Sequence, residues 1–290
     1  MKTSIYIIMC GLALLASSCG ADHYMKKGEK ALAVGEYFDA AEYFKVAYNK
    51  TPSKERAKRG QRAAKLAYCY DRINSNAKAI AAYRNVIRYK QDSIDTHLKL
   101  AQLLMKAASY KEAAKEYQLV LDTLPGKELA KTGLLAAQTA QAEKEAGSRY
   151  IVKKMDIFNS RRADYSPMLF GDEYDQLYFT STRNEAQGDE LSGITGTKNG
   201  DIFYSQKDEK GKWQRPETIE SGLNSEYDEG ACCFTPDQRE MYLTQCVTDP
   251  SYPRYATIVT SSRADAAWGK PKHASVRTAL TVLHRRPGHT

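Results

Sequence analysis

The chain has 290 residues, with 43 Lys and Arg against 35 Asp and Glu, 42% hydrophobic and 10% aromatic residues. That length and composition suit a protein of about two domains and exclude a disordered polyelectrolyte, a collagen-like chain and a polytopic membrane protein. The net charge of +8 is uneven: residues 20–150 hold 24 basic and 15 acidic side chains, residues 151–290 hold 18 and 20. Only the first half is basic.

At the N-terminus, Met1-Lys2 precedes an apolar run from Ile5 to Ala16, followed by Ser17-Ser18-Cys19. The run is too short to span a hydrocarbon core of about 30 Å and fits a signal peptide over residues 1–18. Small residues directly before Cys19 resemble the lipobox of bacterial lipoproteins, which implies acylation of Cys19 and a lipidated terminus over 19–23. Ordinary secretory cleavage, with Cys19 a bystander, is the other reading. Acidic residues do not crowd behind Cys19, which points to the periplasmic face of the outer membrane.

Residues 24–147 are rich in Ala, Lys and Tyr and carry helical spacing. Ala79, Tyr83 and Val86 recur 34 residues later as Ala113, Tyr117 and Val120, and upstream as Ala40, Phe44 and Ala47. This period resembles the tetratricopeptide repeat (TPR), with copies near 21–54, 60–93 and 94–127 and a capping helix over 128–147. Small residues (Gly28, Ala67, Ala101) let paired helices approach, and Phe44, Tyr83 and Tyr117 fill the grooves between them. Ala63 and His97 stand where the family has a large aromatic. With no carboxylate cluster evident beside it in sequence, His97 reads as a packed or half-exposed helix residue.

TPR arrays bind peptides and proteins. The basic run through Arg56, Arg59, Arg62 and Lys65 reads either as a solvated helix face or as a face for an acidic partner. An exported protein has no nucleic-acid partner to meet. Asp92-Ser93-Ile94 and Asp122-Thr123-Leu124 resemble short O-glycosylation sites of Bacteroidetes.

Near Arg149 the period changes to two. Strands are predicted at 176–181, 201–205 and 240–244. Tyr178 and Tyr242 lie 64 residues apart, as do Phe170 and Phe234, while Trp213 and Trp268 are 55 apart, as are Pro216 and Pro271. On that spacing, Tyr165-Ser166-Pro167 is matched to Tyr227-Asp228-Glu229. The four-stranded unit resembles a β-propeller blade, and Phe234-Thr235-Pro236-Asp237 resembles the turn of PD40 (WD40-like) blades. Residues 148–271 therefore read as an incomplete propeller of about two blades. The expected fold is α + β in separate domains, a TPR solenoid followed by those blades. Residues 272–290 lack blade character, and we expect a departure from the ancestral reading frame near Lys272–Arg277.

P-loop, His-Glu-x-x-His and Gly-x-Ser-x-Gly elements are absent from the sequence, so the chain reads as non-enzymatic, with no cofactor and no metal. The acidic loop with Glu185, Asp189, Glu190 and Asp201 is either a weak Ca²⁺ site or a solvated loop. A bridge from Cys232 or Cys233 to Cys246, with Cys233 the favoured partner, stands beside the reading of free thiols.

Lipobox, TPR array and PD40 blades in that order resemble Bacteroidetes outer-membrane lipoproteins, among them the PorE-like component of type IX secretion. The resemblance implies a periplasmic scaffold, anchored in the outer membrane by its acyl group, that binds envelope proteins through both domains. The OmpA-like domain of full-length relatives is not in this sequence, so peptidoglycan binding is implied only for them. A glycan- or ligand-binding propeller and a truncated, nonfunctional product are the alternatives.

Overall fold

A computed structural model describes residues 20–188, 190–219, 222–247, 256–264 and 267–274. Cys19, the apolar run before it and residues 275–290 lie outside the described residues. The chain divides into two compact units, one through Val152 together with Gly193–Gly196, the other comprising the remainder from Lys153.

Among the described residues the first unit has seven helices: α1 over 20–33, α2 (Tyr37–Lys50), α3 (Arg56–Arg72), α4 (Asn76–Arg88), α5 (Ile94–Lys106), α6 (Tyr110–Thr123) and α7 (Glu128–Ala146). They form three TPR-like pairs and a final helix. Helix α1 already includes residue 20, ahead of the start expected at Tyr24. The turn inside each pair is built the same way. Gly35, Asn74 and Ala108 take positive φ, and the next N–H closes back onto Ala31, Tyr70 and Leu104 carbonyls at 2.8–3.0 Å. That bond satisfies helix-end carbonyls while the chain reverses, and Gly or Asn suits it better than Ala.

The ten residues expected to pack the repeats (Gly28, Ala40, Phe44, Ala47, Ala67, Ala79, Tyr83, Ala101, Ala113 and Tyr117) are all buried. A Cβ on Gly28 would sit 2.5–3.0 Å from the Phe44 ring. Gly133 of α7 likewise faces Tyr117. Small residues here are a steric requirement set by the aromatic opposite them.

The second unit carries two antiparallel sheets. Sheet 1 orders β1 (Asp164–Phe170), β2 (Gln176–Ser181), β3 (Asp201–Gln206) and β4 (Glu217–Thr218). Sheet 2 orders β5 (Asp228–Phe234), β6 (Glu240–Cys246), β7 (Thr257–Ala264) and β8 (Ala267–Trp268), with β9 (Lys272–His273) also on β7. Short β4 and β9 occupy the same place, pairing Phe203 with Thr218 and Val259 with His273. The second blade-like sheet therefore runs past the expected limit at 271, through His273.

The pairing also corrects the match between the sheets. Leu177 and Met241 open the second strands in the same register, but Leu169 opposes Leu177 as Phe234 opposes Met241. Phe234 is thus the counterpart of Leu169, because the turn after it is one residue shorter. Asp164 then matches Glu229, and Ser160 matches Ser225, in place of the Tyr165–Tyr227 match.

The side chains agree with this register. Asp164 accepts from Ser160 N–H at 2.6 Å and from Ser181 Oγ at 2.6 Å; Glu229 accepts from Ser225 N–H at 2.9 Å and from Gln245 Nε2 at 2.8 Å. Both first strands bulge at the next step, where Ser166 (φ 52°) and Ala231 (φ 48°) adopt left-handed backbone. The sheets pack through Phe170, Tyr178 and Ile202 against Met241, Leu243, Val259 and Trp268, and the Phe170 and Phe234 ring centres lie 4.5 Å apart.

Candidate functional site

The basic run on α3 divides when its side chains are followed individually. Arg62 is buried, bonded to Thr51 Oγ1 and Asp22, and donates to the Ala47 carbonyl at 3.3 Å. Arg59 donates to the Thr51 carbonyl at 2.8 Å and lies over the Tyr48 ring at 4.5 Å. Arg56 donates to the Arg88 carbonyl at 3.0 Å. These three guanidinium groups meet the C-terminal ends of α2 and α4, where helix carbonyls lack partners and the dipole favours a cation. They join the repeats, and Arg56 stays exposed on the surface of α3 together with Lys65.

Lys65 lies instead on a groove of about 630 Å³ lined by Leu32, Tyr37, Gln61, Ala64, Tyr68 and Gln91. Gln61, Lys65 and Tyr68 are exposed on one stripe of α3, as is Arg72 one turn on. The Tyr37 and Tyr68 rings meet edge to face at 6.2 Å, and the Arg72 guanidinium lies 4.9 Å from the Tyr37 ring centre. The groove thus joins an aromatic floor to two cations. Tyr37, Tyr68 and Arg72 were not picked out from sequence, although Gln61, Lys65, Tyr68 and Arg72 recur at the three- and four-residue steps of a helix face.

His97 is a packed helix residue, as expected, but it has carboxylate neighbours that the sequence did not reveal. It is buried between two carboxylates, with Nδ1 2.7 Å from Glu116 and Nε2 3.1 Å from Asp92. Burial alone would lower its pKa; the bonds and charges of Glu116 and Asp92 outweigh burial and raise it. A raised folded-state pKa adds stability that is fully present below about pH 6.5 and is lost as pH rises through the folded value. Helical circular dichroism should show the helices melting at a higher temperature on mild acidification. His97→Gln should flatten that slope and remove about 1–3 kcal/mol at low pH; a slope unchanged by the substitution would contradict the assignment. Asp92 and Ser93 of the first glycosylation-like triplet serve this same corner, where the Ser93 N–H donates to Thr96 Oγ1 at 3.1 Å.

The described acidic residues of the loop lie apart from one another in their surroundings. Asp189 lies outside the described residues, while Glu185 and Glu190 are exposed. Asp201 is fully buried, accepts from the Gln187 N–H at 2.8 Å, and burial pushes its carboxyl up to about 6. Among the described residues no group of three or more His, Cys, Asp or Glu side chains is placed to hold a metal ion.

The expected Cys233–Cys246 bridge does not form. Cys233 opposes Tyr242 and Cys246 opposes Asp228, four residues apart along β6, and the described cysteines are free. Burial holds the Cys69 and Cys232 thiols up to about 12, which keeps them protonated and unreactive. Among the described residues no helix is long and apolar enough to cross a membrane.

No family model matches the chain, and no curated protein matches it. Among solved structures, the first TPR of Spaghetti bound to an HSP90 peptide is 19% identical, with a TM-score of 0.37 over 43% of this chain and 96% of that one. The Sgt2 TPR domain from Aspergillus fumigatus is 19% identical, with a TM-score of 0.36 over 47% of this chain and 88% of that one. A TPR-like protein from Chlorobium tepidum is 18% identical, with a TM-score of 0.33 over 45% and 98%. The assignment of TPR-like repeats rests on this chain's own helix pairs and their repeated packing residues.

Proposed function

We propose that the chain is a non-enzymatic scaffold whose helical repeats bind an extended segment of a partner protein. The groove beside α3 carries this reading. Tyr37 and Tyr68 offer apolar area at low entropic cost, and Lys65 and Arg72 stand beside them, so the segment it suits presents an acidic group next to an apolar side chain. The HSP90 peptide in the Spaghetti complex is a peptide ligand of this general kind, SRMEEVD.

Two further parts of the reading rest on sequence. Acylation of Cys19 would hold the scaffold on the periplasmic face of the outer membrane. There its partners would be envelope proteins, with type IX secretion or envelope assembly the process served. Incorporation of a palmitate analogue, lost on Cys19→Ser, tests the anchor.

A photo-crosslinking residue at Tyr68 should capture a defined envelope protein. Lys65→Glu with Arg72→Glu should weaken that capture at least about tenfold, or about 1.4 kcal/mol. Both side chains are exposed, so the helices should keep their content. Undiminished capture by the doubly substituted chain would rule the groove out as the binding surface.

A further inference from the structure

Five side chains from three helix ends gather at one edge of the repeats. Tyr48 stands near the end of α2, Arg56 and Arg59 in the first turn of α3, and Arg88 and Tyr89 at the end of α4. The two tyrosine hydroxyls lie 3.4 Å apart. The guanidinium carbons of Arg56, Arg59 and Arg88 lie 5.5, 5.7 and 5.2 Å from the centre of the Tyr89 ring, and Arg59 also lies over Tyr48. None of the five lines the groove beside α3.

Other exposed cations of the helices have carboxylate partners, as Arg84 has Glu112 at 2.6 Å and Lys58 has Glu55 at 2.9 Å. Among the described residues no carboxylate pairs with Arg56, Arg59 or Arg88. Their neutralisation is partial. Arg56 and Arg59 each give an N–H to the carbonyl at a helix end, and such an end carries about half a negative charge. The ends of α2 and α4 together offset about one of the three positive charges, which leaves an excess of about two. The tyrosine rings hold the cations without cancelling them. Tyr89 registers the field: the bond to Tyr48 and the charges of Arg59 and Arg88 outweigh burial and lower its pKa. A negative oxygen is favoured at this spot.

Donors are left over as well. A guanidinium has five N–H groups. Arg56 and Arg59 each commit one to a helix-end carbonyl, and Arg88 makes only a long contact of 3.5 Å to the Tyr89 hydroxyl. Arg56 and Arg88 are exposed, while Arg59, Tyr48 and Tyr89 are half-buried, so the cluster is open to an anion from solvent.

We propose that this cluster binds a phosphate monoester, whose charge of about −2 matches the excess and whose oxygens accept paired bonds from arginine. A phosphodiester carries less charge and suits the cluster less. The ester belongs either to a small soluble molecule or to a lipid headgroup, and two arms of one experiment separate these sources.

Titration calorimetry of the full chain with glycerol phosphate reads the soluble ester. Flotation with vesicles of phosphatidate in phosphatidylcholine reads the headgroup. Arg56→Gln/Arg88→Gln should weaken binding at least about tenfold in whichever arm shows it, and its vesicle-bound fraction is the baseline for association through the apolar N-terminal run. Both side chains are exposed, so the helical circular dichroism should not change. Undiminished binding by that variant would refute the site. Lys65→Gln/Arg72→Gln removes as much charge from the groove and should leave binding intact; equal weakening there would reduce the effect to overall charge and overturn the proposal. The diesters, dimethyl phosphate in solution and phosphatidylglycerol in vesicles, should bind at least about tenfold more weakly than the monoesters. Equal binding would overturn the assignment to a monoester. Binding of neither glycerol phosphate nor phosphatidate vesicles above the baseline would overturn the proposal outright.

Discussion

Replacing Phe44 by alanine is expected to destabilise the helical unit by about 3–5 kcal/mol, enough to consume much of the stability of an ordinary domain. The ring is fully buried, and its surroundings are residues with little to offer a vacated space: Gly28 against the ring, and buried Ala40, Ala41 and Ala47 on its own helix. Short side chains cannot swing into the cavity, so relaxation would need whole helices to close up. Urea unfolding followed at a helical wavelength measures the loss. A change below about 1 kcal/mol would mean that the pair collapses freely and that Phe44 is not what spaces α1 from α2.

Asp164→Ala should destabilise the second unit by a similar amount, about 3–5 kcal/mol, through a different cause. Asp164 and Arg183 form a pair at 2.8 Å with side chains 9% and 11% exposed. Removing the carboxylate leaves the guanidinium without its counter-charge, though still bonded to the Phe158 carbonyl, and leaves Ser160 and Ser181 without their acceptor. The Asp164→Ala/Arg183→Met double variant should lose less than the two single changes summed, since no buried charge remains unpaired. Burial by itself would raise the Asp164 pKa, but the hydrogen bonds from Ser181, Arg183 and Ser160 outweigh it and lower the pKa below the usual carboxylate range. Its stabilising contribution is therefore present above about pH 3.9 and is lost as pH falls through the lower folded value. Near-ultraviolet circular dichroism during acid titration follows it, and an acid transition identical in Asp164→Ala would refute the assignment.

What the sequence made legible was whatever recurs at a fixed step. Ala79 and Ala113, or Tyr83 and Tyr117, are constrained to one size class by the helix opposite, so the repeat survives as a pattern of residue types. Trp213 and Trp268 likewise stand at equivalent places in the two sheets. Spacing along α3 left two readings of the basic run open, because it cannot show that Arg56, Arg59 and Arg62 end beside the carbonyls of α2 and α4. His97 hid its carboxylates for a related reason: Glu116 reaches it from another helix. Matching Phe170 to Phe234 followed a conspicuous side chain, whereas strand pairing follows the backbone, and a turn shortened by one residue separates the two. The Cys233–Cys246 pairing failed on the same ground, since proximity in a hairpin depends on register.

The two first strands share a bulge that the residues standing in it do not favour. A left-handed backbone costs a residue with a Cβ about 1–2 kcal/mol, and neither Ser166 nor Ala231 has the freedom of glycine that removes this cost. Two unrelated strands would have little reason to accept the same penalty at the same step. In both sheets the bend falls two residues beyond a carboxylate, Asp164 in one and Glu229 in the other, that accepts from the N–H of the serine four residues before it. The shared bend is thus a likeness that lies in the backbone, at a step where the side chains, Ser166 and Ala231, differ.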